Sequence, residues 1–353
     1  MAKFNRRQFA AMVGSVPLWA AHRVGSSAEF SVEGAWGAKR HAILSRMELA
    51  MGSFPEKKAR PSLHMRILER VDTPTISRWK ISYVSEEGDR TPAYLLRPKK
   101  LAGQVPGILC LHQTTPLGAA EPAGLGGNPD YHYAEELAER GYVTLAPNYP
   151  DLPFGQGFGG YRYDAYRCGY QSQTMKGIWN HVRALDLLQS MSEVDPQCLG
   201  CIGHSLGGHN TLFVGAFDPR LGVLVSSCGF TRFKEYGGGD LSGWAQERYM
   251  PRIALRYHNN PAEMPFDFSD VLTALAPRPL FINAPLHDAN FSVEGVRETL
   301  RVVKPLYANR FHAGDRLVVR HPDAAHSFPP AVRHEAYEFI GKWLRGQTRK
   351  DLA

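Results

Sequence analysis

No apolar run in this 353-residue chain is long enough to cross a bilayer as a helix, which leaves no membrane anchor to read from hydropathy. There is no internal repeat and no low-complexity tract, so solenoid, collagen-like and disordered architectures are excluded. Cysteine is scarce and odd in number, at Cys110, Cys168, Cys198, Cys201 and Cys228, which argues against a complete disulfide framework. No His and Cys spacing matches a zinc site. The pair Cys198-x-x-Cys201 sits in an apolar strand, where positions three apart face opposite ways, so it reads as small buried hydrophobes. Acidic residues are absent from residues 1–27, which hold Lys3, Arg6, Arg7 and Arg23. Of the formal net charge of +7, that segment carries four, leaving +3 on the rest. A body so mildly basic gives no argument for nucleic acid. With 43% hydrophobic and 21% charged residues, the chain is otherwise an ordinary globular composition, of a length that suits one large α/β domain with insertions or two small domains.

The acid-free start has a pattern of its own. Asn5-Arg6-Arg7-Gln8-Phe9 places an arginine pair before a short apolar run, Phe9 to Ala21, interrupted by Pro17. That is the form of a twin-arginine signal peptide, with Ala20-Ala21 or Ser27-Ala28 near the cleavage point, and it implies an exported protein. A basic N-terminus on a cytoplasmic protein is the alternative. Such export carries folded proteins, so free buried thiols are compatible with it.

Residues 28–77 form an N-terminal extension without a functional signal, in which Ala42–Leu49 and Leu63–Val71 show helical apolar spacing. Arg78–Ser85 and Thr91–Arg97 alternate as half-buried strands. From Val105 onward, continuous apolar strands alternate with helices. The strands are Val105–His112, Tyr142–Pro147, Cys198–Gly203, Leu221–Ser227, Arg278–Asn283 and Arg316–Arg320. The helices are Tyr131–Arg140, Met175–Met191, Gly208–Ala216, Val293–Tyr307 and Glu335–Leu344. This order predicts a mostly parallel, eight-stranded-type sheet with helices on both faces, spanning residues 78–346. Residues 230–270, irregular and rich in Gly, Pro and aromatics, are a candidate cap. Ligands on such sheets bind beyond the C-terminal strand ends.

Gly203-His204-Ser205-Leu206-Gly207 lies at one of those ends, between a strand and a helix. A sharp strand-to-helix turn exposes a serine, the flanking glycines let the two elements approach, and the helix start offers N–H groups for an oxyanion. A serine activated this way needs a histidine base and an orienting acid, in the chain order Ser, acid, His. Asp288 follows the strand at 278–283, whereas Asp267 and Asp270 precede it and Glu294 reads as a first-turn helix acid. His326 lies in the loop after the strand at 316–320 and is favoured over His321. His204 and His209 read as structural or pocket-lining, and His287 should point away from the site. Leu206 N–H is the first oxyanion donor; Thr114 N–H is the choice for the second, with Gln113 the alternative.

Together these residues resemble the α/β-hydrolase family over roughly residues 78–346. Leu111-His112-Gln113, Gly203-His204-Ser205-Leu206-Gly207-Gly208, Ala276-Pro277-Arg278-Pro279 and Asp288…His326 resemble its dienelactone-hydrolase and acetyl-xylan-esterase-like branch. The resemblance implies Ser205 as nucleophile, Asp288 as acid and His326 as base. Gln113 replaces the glycine of the usual His-Gly oxyanion loop. Serine stands where dienelactone hydrolases carry cysteine, which favours ordinary ester hydrolysis.

The expectation is a serine carboxylesterase, without cofactor or metal, acting on a small-molecule or carbohydrate-linked ester. Aromatics in Phe154–Tyr166 could stack on a sugar or pack as an ordered loop. Two further readings stay open. One is a prolyl-oligopeptidase-like peptidase, which shares Gly-x-Ser-x-Gly-Gly but carries a large N-terminal domain, where only about 77 residues are available here. The other is a non-catalytic binding protein on a hydrolase fold, which would have no reason to keep Ser205, Asp288 and His326.

Overall fold

The computed structural model describes residues 27–55, 60–152 and 158–345. The export-signal reading falls, save for Ser27, outside the described residues. Among the described residues no helix is long and apolar enough to cross a membrane.

Nine strands form one sheet, in the order β1-β2-β3-β5-β4-β6-β7-β8-β9. The strands are β1 (Arg66–Asp72), β2 (Ile76–Glu86), β3 (Asp89–Pro98), β4 (Val105–Leu111), β5 (Val143–Pro147), β6 (Val194–His204), β7 (Leu221–Ser227), β8 (Leu280–Asn283) and β9 (Leu317–Arg320). β1, β2 and β3 pair antiparallel, and β3 continues antiparallel against β5. From β5 across to β9 every pairing is parallel. The helices are α1 (Ser27–Met51), α2 (Tyr133–Glu139), α3 (Gln173–Ser190), α4 (Leu206–Phe217), α5 (Arg252–Tyr257), α6 (Phe268–Leu275), α7 (Val293–Pro305) and α8 (Pro330–Arg345).

The central parallel strands are where the sequence expected them, because burial on both faces makes them continuously apolar, whereas β9 at the edge is only half-buried and β6 begins at Val194, ahead of its apolar run. β5 and β7 are buried at nearly every position. The ninth strand is the correction. Leu63–Val71, expected as helix, contributes β1, so the sheet begins at Arg66 rather than Arg78 and has nine strands, not eight. β1 is an edge strand exposed at every position. Its apolar residues Ile67, Leu68 and Val71 therefore answer to no core face, and a register shift between Ile67 and Glu69 further breaks the two-residue alternation. Their helix-like spacing was accidental.

Residues from Arg40 onward form one compact unit. Within it the last turns of α1 bury Ile43, Met47, Ala50 and Met51, and Arg46 pairs with Asp270 at 2.5 Å. A second polar cluster fixes β2 and β3 to α3. The fully buried Lys176 ammonium lies 2.6 Å from Asp89 and 3.1 Å from Glu86, and it donates to Asn180 at 2.6 Å. Tyr161 donates to Asp89 (2.6 Å) and Tyr170 to Glu86 (3.1 Å), while Tyr163 also bonds Glu86. A buried ammonium surrounded in this way is tolerated only because its charge and donors are matched. The described tyrosines of the 151–170 loop thus follow the packing alternative, not the sugar-stacking one. Phe154 lies outside the described residues.

Candidate active site

Ser205 lies between β6 and α4 with φ +54° and ψ −117°, a strained conformation for a residue with a Cβ. The neighbouring glycines make the turn possible. A Cβ on Gly203 would lie 2.3 Å from the Gly207 carbonyl oxygen, and one on Gly207 would lie 1.8 Å from that of Leu111. One on Gly208 would lie 2.6 Å from that of Ser227. The two glycines of the motif therefore keep β6 against α4 and α4 against β4. The Ser205 N–H donates to Ser227 on β7 at 2.8 Å, tying the turn to the next strand.

The structure brings Ser205, His326 and Asp288 into one hydrogen-bonded chain. His326 Nε2 lies 2.9 Å from Ser205 Oγ, and His326 Nδ1 lies 2.9 Å from each oxygen of Asp288. Asp288 is buried past the end of β8, and one oxygen accepts from the backbone N–H groups of Asn290 (2.8 Å) and Phe291 (3.0 Å). Burial pushes its pKa up, but the bond to His326 and these two N–H groups outweigh it, and the net shift is downward. An ionised carboxylate only accepts, so Nδ1 carries the proton and Nε2 offers its lone pair to the serine hydroxyl.

The rival groups are occupied elsewhere. Asp267 caps α6 and binds Arg232, Asp270 binds Arg46, and Glu294 lies in the first turn of α7. His321 faces the Ala284 carbonyl, and His287 pairs at the surface with Asp323. His204 is buried beneath His326, with ring centroids 4.9 Å apart. It stacks on Tyr131 and bonds Ser227 Oγ at 2.9 Å.

Three residues under His326 went unrecognised in the sequence. Asn283 Nδ2 donates to the Ser327 carbonyl at 2.9 Å and to Ser227 Oγ at 2.9 Å, and the Cys228 thiol donates to the same carbonyl at 3.3 Å. They anchor the residue after His326 from the ends of β7 and β8. Their only sequence signal was position at parallel strand ends, shared with many residues that do nothing of the kind. Arg278, in the Ala-Pro-Arg-Pro motif, is structural: its guanidinium donates to the carbonyls of Gly215, Asp218 and Leu221, latching the end of α4 to the approach of β8.

His204, Cys228 and His326 are the described His and Cys groups near enough to share a metal ion. Both His326 nitrogens are engaged by Ser205 and Asp288, and burial pushes the Cys228 thiol well up, so it stays protonated. A metal here would have to dismantle the hydrogen-bonded chain, and the donor set does not fit one.

The oxyanion candidates lie around the same serine. Leu206 opens α4, and Gln113 and Thr114 follow β4. Buried His112 holds the Gln113 carbonyl through Nδ1 at 2.6 Å and accepts the Tyr149 N–H at Nε2. Because a trans peptide points its C=O and N–H in opposite directions, the Thr114 N–H of that peptide is directed away from His112.

A pocket of about 370 Å³ opens over Ser205 and His326. Trp244, Phe291, Tyr236 and Tyr249 supply aromatic wall, and Gln113, Gln246 and Asn290 supply amides. No Asp, Glu, Lys or Arg is among its described lining residues. The 230–270 segment contributes Tyr236, Gly243, Trp244, Gln246 and Tyr249, held in place by Phe233, Phe266 and Phe268, which pack with Trp244 and Phe213.

Four buried histidines surround this region. Burial drives His112 down to about 4, His181 and His209 to about 3, and His204 well below its ordinary value, so all four are neutral in the fold. The unfolded chain binds protons on them below pH about 6.5, so acid favours unfolding. Between pH 6.5 and 4 the four together are expected to remove up to about 5 kcal/mol of stability per pH unit. A melting temperature that stays flat from pH 7 to pH 5 would contradict this.

A family model for fungal glucuronyl esterases matches residues 156–308. YtaP of Bacillus subtilis, a protein named as a hydrolase, is 27% identical over 318 residues, covering 87% of this chain and 99% of its own. A solved glucuronoyl esterase from Teredinibacter turnerae superposes with a TM-score of 0.67 at 18% identity, over 88% of this chain and 85% of its own. An acetyl xylan esterase from a Paenibacillus species superposes with a TM-score of 0.57 at 17% identity, over 92% and 97%. At such identities the likeness is one of fold. By this likeness the chain has the α/β-hydrolase fold.

Proposed function

We propose that the protein is a serine carboxylesterase that cleaves a neutral, carbohydrate-linked ester. The observation that carries this reading is the hydrogen-bonded chain from Ser205 Oγ through His326 to Asp288, opening on an aromatic pocket with no charged lining side chain among the described residues. His326 takes the Ser205 proton as Oγ attacks the ester carbonyl, and Asp288 stabilises the imidazolium. The tetrahedral oxyanion receives the Leu206 N–H and the Thr114 N–H. Thr114 is preferred to Gln113 because the bond from His112 to the Gln113 carbonyl sets that peptide's direction. His326 then returns the proton to the departing alcohol, and water hydrolyses the acyl-enzyme by the same base.

The family match to glucuronyl esterases and the likeness to acetyl xylan esterase both favour a sugar-borne ester. An esterified uronic acid and an acetylated sugar are each neutral, as the pocket requires. Aromatic faces beside planar amides suit a pyranose, whose C–H faces stack while its hydroxyls bond. The test is a panel of p-nitrophenyl acetate, methyl glucuronate glycosides, acetylated xylosides and peptidyl p-nitroanilides. Turnover of esters and not of peptide amides is expected; cleavage of amides alone would overturn the reading.

Export is part of the proposal, resting on Arg6-Arg7 and the apolar run that follows. Replacing both arginines with lysine should leave the full-length protein in the cytoplasm of a host with a twin-arginine pathway. Unchanged delivery across the membrane would sink this point while leaving the chemistry intact.

A further inference from the structure

A second, much smaller cavity of about 20 Å³ adjoins the main pocket. Leu206 and Tyr249 line both, so the cavity lies beside the serine turn. Three polar atoms on its lining residues are buried and have no partner in the protein, Gln173 Oε1, Asn210 Oδ1 and Arg248 Nε, and the buried Tyr149 hydroxyl, which the Asn210 side chain reaches, makes no other side-chain bond. Tyr149, Gln173 and Asn210 are only 4%, 2% and 5% exposed. Gln173 is held by its other amide atom, Nε2, which donates to the Tyr163 carbonyl at 2.7 Å. Arg248 is held by Asp151 at 3.0 Å and lies over the Phe158 ring. The fold thus fixes Gln173 and Arg248 while leaving one polar atom on each unused beside Asn210 and Tyr149, a clustering that native interiors rarely keep without a water or a ligand.

The chemistry of the four atoms defines that ligand. Two amide oxygens accept, the guanidinium Nε donates, and the tyrosine hydroxyl does either. An anion would face two acceptors, and a cation would face the arginine. A hydroxyl suits all of them, donating its proton to an amide oxygen and accepting from Arg248 or Tyr149. The volume agrees, since one water-sized oxygen needs roughly 10–15 Å³ and a sugar ring does not fit.

We infer that this cavity is a recognition subsite for a single hydroxyl group of the substrate's sugar, seated while the ester lies at Ser205. The inference rests on the esterase reading and sharpens it to a polyhydroxylated substrate with a hydroxyl near the scissile ester. A water molecule offers the same chemistry, and the experiment separates the two sources.

The Ser205→Ala protein is titrated by NMR with the methyl ester of methyl α-D-glucuronoside and with its 2-, 3- and 4-deoxy counterparts. The same series is run with Asn210→Leu or Gln173→Leu added, two variants that change the subsite independently in case one folds poorly. One deoxy ligand is expected to bind at least about tenfold more weakly than the parent, because its absence leaves buried polar atoms unpaired. In both leucine variants that gap should close to within about threefold. Equal binding of all four ligands, no binding of the parent, or a gap that survives both substitutions would overturn the subsite, the first and last pointing to a resident water only. Hydrolysis of p-nitrophenyl acetate by the unsubstituted protein is measured alongside. An active enzyme with a flat deoxy series defeats the subsite alone; an inactive one with deoxy-sensitive binding defeats the esterase reading alone.

Discussion

Ser205→Ala is expected to lower kcat for ester hydrolysis by about 10⁴–10⁶-fold while leaving the melting temperature close to that of the parent protein. The hydroxyl removed here bonds the His326 side chain, so the fold loses little. The backbone at position 205 keeps its positive φ whichever small residue stands there, because β6, α4 and the Ser227 carbonyl hold it. His326→Ala should cost a similar factor, since a serine without its base is a poor nucleophile. The informative measurement is the double variant. If Ser205 and His326 act as one unit, removing both is hardly worse than removing either. Losses that multiply would mean that the two residues serve separate steps. Retention of more than about one per cent of activity by Ser205→Ala would sink the nucleophile assignment.

What the sequence disclosed follows from what burial imposes on it. β7 runs from Leu221 to Ser227, with limits visible in the apolar run itself, because a central parallel strand meets helices on both faces. The glycines of the serine turn were legible because backbone contact at 1.8–2.3 Å from a Cβ tolerates no other residue. β1 was not legible, because an exposed edge strand has no buried face to write a period into its sequence. α1 was recognised only at 42–49. It extends over Ser27–Met51 without an apolar stripe along its length, so periodicity could not reveal its start.

The pocket shows a different limit. Strand-end positions led to Asp288 and His326 because the reaction demands those residue types in that order. The aromatic wall in residues 230–270 lies on turns and short helices, where no period exists, and only long-range packing brings Trp244 beside His209 and Phe291. The supports beneath His326 are likewise contacts across 44 and 99 positions, Asn283 and Cys228 to Ser327. No local pattern encodes such a pairing. The same holds for Tyr149, Gln173, Asn210 and Arg248, whose common property is the small cavity they line.

Asp288→Asn is expected to lower kcat by about 10⁴-fold with little change in the positions of the groups around it. The asparagine carbonyl oxygen can still accept from Asn290 N–H and Phe291 N–H, so the loop after β8 keeps its turn. What changes is the face toward His326. Asp288 presents both oxygens to Nδ1 at 2.9 Å, and as an acceptor it places the imidazole proton on Nδ1. With the carbonyl oxygen committed to the backbone, asparagine turns an amide N–H toward the ring. That donor favours the tautomer whose proton sits on Nε2, where it blocks proton transfer from Ser205. The variant also loses the charge that stabilises the imidazolium. Stability supplies an independent check. The Asp288 pKa is lowered in the fold, so its ionisation stabilises the protein above the unfolded value near 4 and that contribution fades as pH falls through the folded value. The stability gap between parent and Asp288→Asn should therefore be constant near neutrality and shrink below about pH 4. A gap that widened in acid, or a variant within tenfold of parental activity, would show that Asp288 does not orient His326.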